Sequence, residues 1–436
     1  MAPQIERTHI AEVAQDGVCT GCGTCSGICP VGAIRMHLDS RKGVFAPLVN
    51  VSTCTDCGLC WSCCPPVTWS NRPVTKHWDP CLGDYLSVFA AYSSDERIRR
   101  ESASGGFITT LLLHLIRSGT ITGAVVTQRE ANDPLRCRAH LACCEEDILN
   151  AKGSQYAPVP FDEIIRVLLR LDADRHRIAV VGLPCHIEGI FRASQHFQTL
   201  RRLLRFKISL VCGRTPSLLA YDYILRQCRI ARSAVADLAN RGGGWPGFMT
   251  LTLRNGSVKR IAYRSYLSMG TVLSSPVFTP TACQLCADPG GFCSDVTACD
   301  AWLPRFRDNK DGVNLILVRS RQILDVLEQM RSQGKLILLQ ASAADFLEAN
   351  RDVMIRKLVS NQAALPLLLG RRALLYSQGI TYGAKPHLFR KLRLFVYYLH
   401  IRLLSQVDLA AALRLLNRPV LFYFKAIKRL CESGQA

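Results

Sequence analysis

The chain has 436 residues, of which 48% are hydrophobic and 20% charged, and its formal net charge is +20. These values predict two or three globular domains and exclude a large disordered region. The positive charge favours acidic partners, such as anionic lipid or acidic electron carriers, whereas the lack of a DNA- or RNA-reading motif argues against nucleic acid. No run of about 18 uncharged apolar residues is present, so no transmembrane helix is predicted.

One cysteine pattern occurs twice near the start of the chain. Each copy has three cysteines at two-residue intervals and then a Cys-Pro pair, which is the spacing of bacterial ferredoxins with two [4Fe–4S] clusters. In such ferredoxins the fourth cysteine of each copy binds the other cluster. The predicted ligands of one cluster are Cys19, Cys22, Cys25 and Cys64, and those of the other are Cys54, Cys57, Cys60 and Cys29.

A pair of zinc knuckles and a disulfide knot are the alternative explanations of this pattern. Zinc sites combine two CxxC pairs or add histidines, so they leave the third cysteine and the Cys-Pro pair unexplained. Disulfides need an oxidising compartment, and we expect no secretory signal on this chain. The sequence therefore predicts a ferredoxin-type domain over residues 1–75 and a reducing, cytoplasmic setting.

Two loops of small residues follow this domain. Ser104-Gly105-Gly106 precedes a predicted helix, whose N-terminal N–H groups can bind a phosphate, although an ordinary helix cap explains the same residues. Lys152-Gly153-Ser154 is a similar loop that adds a cation and a hydroxyl group. Further along, residues 241–247 form a glycine-rich loop before a hairpin with an Asn255-Gly256 turn.

Four more cysteines have positions that suit a metal site. Two apolar strands joined by a helical segment end at Cys185 and Cys212, which places both at the edge of a parallel sheet where ligands gather. Cys283 and Cys286 add a CxxC pair, and four thiolates are what a third cubane requires. Two buried thiols beside an unrelated CxxC, or a redox dithiol, are the alternatives. Nearby cysteines that could substitute are Cys293 and Cys299.

Taken together, residues 15–345 resemble the family of the β subunit of coenzyme F420-reducing hydrogenase and formate dehydrogenase, whose members are iron–sulfur flavoproteins. The resemblance implies FAD bound by the two small-residue loops, next to a [4Fe–4S] cluster held by Cys185, Cys212, Cys283 and Cys286. The matching stretches are Ser104-Gly105-Gly106, Lys152-Gly153-Ser154-x-Tyr156, Val181 to Cys185, Cys212-Gly213, Cys283-x2-Cys286-x-Asp288, Asp295 and Asp300.

The chain departs from the family pattern near the expected flavin. His186 replaces a usual Gln, Cys299 replaces a usual Gly, and Leu183 stands where Thr is common. The substrate therefore cannot be copied from the family name. His186 is our candidate proton donor, because imidazole titrates near working pH, with a packed histidine as the alternative. Lys152 is our candidate for a contact to the flavin phosphate or ring.

These observations predict an α+β or α/β protein with a two-cluster ferredoxin domain, a mixed-sheet flavin-binding catalytic domain and a helical C-terminal region. The catalytic domain is expected over residues 76–165 and 166–350, and the basic helical extension over residues 351–436. Residues 385–436 alternate basic and apolar side chains, as in a helix that lies on the anionic inner face of a membrane or packs on its own protein.

The predicted function is electron transfer between iron–sulfur clusters and FAD, with ferredoxin or the deazaflavin F420 as electron partner, to reduce or oxidise an organic substrate. A first alternative is a non-catalytic electron-transfer subunit of a larger complex. A second is a redox protein of surface-polysaccharide biosynthesis.

Overall fold

The computed structural model describes residues 10–68, 75–265, 267, 269–360 and 376. The N-terminal domain repeats one local design in both cysteine copies. Gly23 and Gly58 adopt left-handed backbone angles, with φ of 82° and 74°, and each starts a short helix directly after the second cysteine of its copy. Glycine adopts this angle without steric cost. The elements are α1 (Ile10–Gln15), α2 (Thr24–Gly27), β1 (Ile34–Asp39), β2 (Val44–Val49), α3 (Leu59–Ser62) and α4 (Pro65–Thr68).

Within the described residues, eight further strands form one mixed sheet with the order β13-β3-β12-β11-β7-β6-β4-β5. The four strands β4, β6, β7 and β11 are parallel neighbours, and their apolar sequences are typical of strands covered on both faces. The remaining pairs are antiparallel. The strands are β3 (Ser87–Ser93), β4 (Gly123–Arg129), β5 (Cys137–Ala142), β6 (Ile178–Gly182), β7 (Leu204–Leu210), β11 (Val296–Asp300), β12 (Asn314–Val318) and β13 (Leu336–Ala341).

Helices cover both faces of this sheet. Successive strand residues point to opposite sides, so both faces carry apolar side chains that need covering. Val125 of β4 packs in the core beneath one helical layer, whereas its neighbours Ala124 and Val126 pack in the core beneath the other. The helices are α5 (Glu96–Glu101), α6 (Phe107–Arg117), α7 (Glu145–Asn150), α8 (Asp162–Arg170), α9 (Pro184–His196), α10 (Gln198–Leu203), α11 (Leu219–Gln227), α12 (Thr281–Leu285), α13 (Arg321–Ser332), α14 (Ala343–Ala349) and α15 (Arg351–Ile355).

A small antiparallel sheet lies beside the large one. It contains β8 (Val235–Ala239), β9 (Phe248–Leu253) and β10 (Val258–Ala262). The predicted hairpin is present: β9 pairs with β10, and Gly256 in the connecting turn has a φ of 82°. Its apolar residues, among them Met249, Leu251 and Ile261, join the core of the body.

The ferredoxin-type domain packs closely on α8 and α9 of the body. The Phe161 N–H donates a hydrogen bond to the carbonyl oxygen of Cys22 at 2.8 Å, and the Ser26 hydroxyl donates to the Asp162 carboxylate at 3.0 Å. A Cβ atom at Gly189 of α9 would overlap the Thr24 side chain of α2. The glycine therefore allows the close approach of α9 to the cysteine loop.

The predicted mixed sheet, the ferredoxin domain and the α+β class are confirmed. Within the predicted extension of residues 351–436, the segment 351–360 is helical, with α15 and one further turn at Arg356–Ser360. No helix in the described residues is long and apolar enough to cross a membrane. Residues 385–436 lie outside the described part of the chain, so their predicted contact with a membrane surface stays a prediction.

Candidate functional site

The first predicted cluster set comes together in space. Burial raises the pKa of the Cys25 thiol well above its ordinary value, and the thiols of Cys22, Cys19 and Cys64 raise it further. The same four cysteines line one cavity. Cys64 belongs to the second copy of the motif, so one cysteine crosses over from that copy, as the ferredoxin pattern requires.

The second predicted set comes together in the same way. Burial raises the pKa of Cys60 to about 11, partly opposed by a backbone hydrogen bond from Trp61. The neighbouring thiols of Cys57, Cys29 and Cys54 raise the Cys60 pKa as well. Cys29 is here the residue that crosses from the first copy.

The arrangement fits cubane clusters better than the alternatives. No disulfide joins the described cysteines, and no three described His, Cys, Asp or Glu side chains lie close enough to chelate one ion such as zinc. A [4Fe–4S] cube instead separates its four thiolates around four irons.

The four cysteines proposed for a third site converge at the carboxyl edge of the parallel strands. Cys185 lies in the first turn of α9 directly after β6, Cys212 follows β7, and Cys283 and Cys286 lie in and just after α12. Burial is the main cause that raises the pKa of Cys185 well above its ordinary value. The neighbouring thiols of Cys22, Cys212, Cys286 and Cys283 raise it further. The four members of the set therefore come from three separate segments of the chain.

Cys22 connects this third set to the ferredoxin domain. It is a member of the first set, and it is also the thiol whose charge acts most strongly on Cys185. The hydrogen bond between Phe161 and Cys22 and the close contact at Gly189 hold the two segments together. The described cysteines therefore form a continuous series from the ferredoxin domain into the large sheet.

Cys293 and Cys299 have contacts outside the third set. The Cys293 thiol donates a hydrogen bond to a Glu188 carboxylate oxygen at 3.0 Å. Burial raises the pKa of Cys299 to about 12, and its sulfur accepts a hydrogen bond from the Asn350 amide at 3.2 Å. The prediction that either cysteine could replace a member of the four-thiol set stays a prediction.

The Lys152 loop contacts the end of α5 through one ion pair. Lys152 Nζ lies 2.9 Å from Glu101 Oε2 at the end of α5, shortly before the segment that contains Ser104-Gly105-Gly106. The hydrogen bond from Lys152 is the main cause that lowers the pKa of Glu101. Gly153 has a φ of 94° with open space where a Cβ would lie. No neighbouring residue therefore covers the position of a Cβ at Gly153.

The Ser-Gly-Gly loop has a structural role that its sequence does not indicate. The buried Ser104 hydroxyl donates a hydrogen bond to the Val313 carbonyl at 2.8 Å. A Cβ at Gly105 would lie 2.8 Å from the Ala91 carbonyl oxygen and 3.0 Å from the Asn314 nitrogen. A substitution at Gly105 would therefore disturb β3 and β12 whether or not a phosphate binds. The phosphate-binding role of Ser104, Gly105 and Gly106 stays a prediction.

His186 is buried and packed. Its ring stacks on Phe161 with centroids 4.0 Å apart, and its Nδ1 accepts a hydrogen bond from the Leu183 N–H at 3.3 Å. Burial lowers the pKa of His186 to about 4, against the opposite effect of a hydrogen bond with the Val159 backbone. The ring is neutral at pH 7, and its role as a proton donor stays a prediction.

A cluster of aromatic residues around Arg241 lies at the same sheet edge. Arg241 Nη1 forms a 2.6 Å ion pair with Asp300, the last residue of β11, which neighbours β7 and thus the Cys212 loop. The ring centroids of Trp245 and Trp302 lie 4.4 Å apart, and the Tyr263 ring centroid lies 5.6 Å from that of Trp302. We call these five residues the aromatic–arginine cluster.

This cluster has hydrogen-bonding capacity that the described residues do not use. Arg241 Nη2 and Trp245 Nε1 are both buried and have no hydrogen-bond partner within the described part of the chain. Burial lowers the pKa of Arg241, but Asp300 and the phenols of Tyr156 and Tyr263 outweigh it and leave the pKa above its ordinary value. Buried donors without partners are costly, so a planar ligand with acceptor atoms suits this position.

The sequence carries only weak signals for this cluster. Arg241 and Trp245 flank the three glycines of a loop whose composition indicates flexibility and nothing more specific. The Arg241–Asp300 pair joins residues 59 positions apart, and the sequence alone does not indicate that they meet.

The Tyr156 carbonyl accepts a hydrogen bond from the Tyr221 hydroxyl at 2.9 Å, which fixes the end of the Lys152 loop against α11.

Sequence comparison assigns the chain to a family. Models of the coenzyme F420 hydrogenase/dehydrogenase β subunit match residues 88–166 with the N-terminal part and residues 175–343 with the C-terminal part, together more than half of the chain. The chain belongs to this family. A 4Fe-4S dicluster domain also matches residues 18–67, which confirms the predicted [4Fe–4S] ferredoxin domain.

Several methanogen proteins are similar to this family member. The coenzyme F420 hydrogenase subunit β of Methanosarcina barkeri is 22% identical over 56% of this chain and 78% of the relative. The coenzyme F420-dependent sulfite reductase of Methanocaldococcus jannaschii is 30% identical over 43% of this chain and 26% of the relative. A chain of the F420-reducing [NiFe] hydrogenase complex from Methanosarcina barkeri shares the fold, with a TM-score of 0.51, 18% identity, and coverage of 66% of this chain and 93% of that chain.

Proposed function

We propose that this protein is an iron–sulfur flavoprotein oxidoreductase that exchanges electrons between ferredoxin-type clusters and FAD, with F420 or another organic molecule as the two-electron partner. The observation that carries the proposal is the position of Cys185, which neighbours Cys22 of the ferredoxin domain as well as Cys212, Cys283 and Cys286. This series of thiols leads from the ferredoxin domain to the edge of the sheet where ligands of such folds bind.

A flavin fits the chemistry that this arrangement requires. Iron–sulfur clusters transfer single electrons, whereas F420 and most organic substrates take two, and a bound flavin supplies the conversion between them. The ring acceptors of FAD suit the unsatisfied donors Arg241 Nη2 and Trp245 Nε1. The proposed phosphate contacts are the N-terminus of α6, which carries a partial positive charge, and Lys152, which is ion-paired with Glu101.

The chain's own residues have distinct tasks in this proposal. Asp300 keeps Arg241 charged and oriented through the 2.6 Å ion pair, and Trp245, Trp302 and Tyr263 exclude water from the position of the ring. Glu101 holds Lys152 at the end of α5, three residues before Ser104. The neutral, packed His186 fixes the first turn of α9 and so the position of Cys185.

Membership of a larger redox complex is part of the proposal. The structurally similar chain belongs to a complex that reduces F420, and the net charge of +20 favours acidic partner surfaces. A non-catalytic electron-transfer subunit is the second candidate. Anaerobic turnover of F420 by the isolated chain with an artificial one-electron donor distinguishes the two, since only the oxidoreductase is active without its partners.

We expect Trp245→Phe to weaken FAD binding. Phe keeps an aromatic ring but removes the Nε1–H, and one lost hydrogen bond from a buried donor is worth about 1 kcal/mol, or roughly fivefold in the dissociation constant. The matched control is Trp78→Phe, because Trp78 packs against Phe292 with ring centroids 5.4 Å apart, outside the cluster.

The measurement is the FAD dissociation constant of apo-flavin protein, followed by quenching of FAD fluorescence. Weaker binding by Trp245→Phe with an unchanged Trp78→Phe supports the flavin position. Equal affinity in both variants would place the flavin elsewhere.

A further inference from the structure

A buried lysine lies against the third set of cysteines. Lys357 is only 2% exposed, and its Nζ donates hydrogen bonds to Cys286 Sγ at 3.1 Å and to the Asp288 carbonyl at 3.0 Å. It belongs to the turn Arg356–Ser360, which follows α15. The family match ends at residue 343, so this lysine comes from outside the matched region.

A buried ammonium group requires nearby negative charge, since moving a charge out of water is otherwise costly. The Asp288 carboxylate accepts hydrogen bonds from the backbone N–H groups of Gly290 at 3.1 Å and Gly291 at 2.6 Å. The Cys286 sulfur that Lys357 Nζ contacts supplies such negative charge when it is a thiolate ligand.

We propose that Lys357 tunes the third cluster, as a fixed positive charge and hydrogen-bond donor at the Cys286 sulfur that raises the reduction potential of that cluster. This inference rests on the proposed third cluster. Reduction adds one negative charge to a cubane, and nearby positive charge and hydrogen bonds to its sulfurs stabilise the reduced form. A higher potential directs electrons from the ferredoxin clusters into the body of the protein.

The neighbouring Arg356 fixes the turn that carries Lys357. Its Nη2 donates a hydrogen bond to the Gly213 carbonyl at 3.1 Å, directly after Cys212. The segment therefore contacts both sides of the cysteine set, through Gly213 and through Cys286. Lys357 is a positioning and tuning residue that contacts a ligand sulfur and takes no part in bond making.

The test is a potentiometric titration of the anaerobically purified full chain, with the clusters followed by electron paramagnetic resonance. Lys357→Met should lower the reduction potential of the third cluster by about 59 mV, which corresponds to a tenfold shift in its one-electron reduction equilibrium. Lys357→Arg should keep a potential near that of the unchanged protein, because the positive charge remains. Arg351→Met is the matched control, since it removes an equal charge from an exposed position in α15.

An unshifted potential in a Lys357→Met protein that retains all its iron would overturn the inference while leaving the third cluster intact. If Lys357→Met loses about four Fe, Lys357→Gln is titrated instead, and its potential must be lowered for the inference to hold. If the protein without any substitution contains only the two ferredoxin clusters, the third cluster itself is refuted.

Discussion

Replacing Cys283 and Cys286 together by Ser is expected to remove about four of roughly twelve Fe per chain and to leave both ferredoxin clusters in place. The two cysteines supply half of the proposed third ligand set, and neither is among the thiols that neighbour Cys25 or Cys60. Serine is a much poorer ligand for iron in such clusters than a thiolate, so the third cube would not assemble.

The measurement combines iron analysis with the electron paramagnetic resonance spectrum of the dithionite-reduced protein. Cys143→Ser with Cys144→Ser is the matched control, because both cysteines are exposed and lie outside the three sets. The double variant at Cys283 and Cys286 should also lose electron transfer from the ferredoxin domain to bound flavin. Unchanged iron content in this variant would refute the third cluster.

Gly189→Val should separate the ferredoxin domain from the large sheet without removing any ligand. The new side chain would overlap Thr24, and such overpacking typically costs about 1–3 kcal/mol, which would weaken the contact between the two domains. Because α9 carries Cys185 and α2 follows Cys22, any separation lengthens the step between their clusters. We expect full iron content but much slower reduction of the flavin from the ferredoxin domain.

The rate is measured by stopped-flow absorbance after mixing with reduced ferredoxin. Gln195→Val introduces the same side chain at an exposed position of α9 and should leave the rate unchanged. A Gly189→Val protein that transfers electrons as fast as the Gln195→Val control would show that the contact between α2 and α9 does not limit the electron path.

Local spacing was sufficient to predict how the ferredoxin cysteines group. The ferredoxin pattern predicts which cysteine crosses to which set because the crossing of each fourth cysteine is part of the two-copy pattern, even though Cys64 is 39 positions from Cys25. The structure brings together the same groups around Cys25 and Cys60. Cys185 and Cys212 were recognisable because each follows an apolar strand, and parallel strands place their carboxyl ends at one edge.

Long-range charge pairs could not be predicted in this way. Arg241 meets Asp300 across 59 residues, and Lys357 meets Cys286 across 71 residues, and in both cases only the tertiary fold sets the contact. The Ser104-Gly105-Gly106 loop shows the opposite problem. Its small residues suggest an open phosphate site, but Ser104 and Gly105 are also needed for close packing against Val313 and β3.

The most direct test of the central proposal is the cofactor content of the full chain purified without oxygen. Iron, acid-labile sulfide and flavin are determined on the same sample and referred to the protein concentration. We predict roughly twelve Fe, an equal amount of sulfide and about one FAD per chain. About eight Fe with no flavin, in a protein that still reduces F420, would contradict both the third cluster and the flavin.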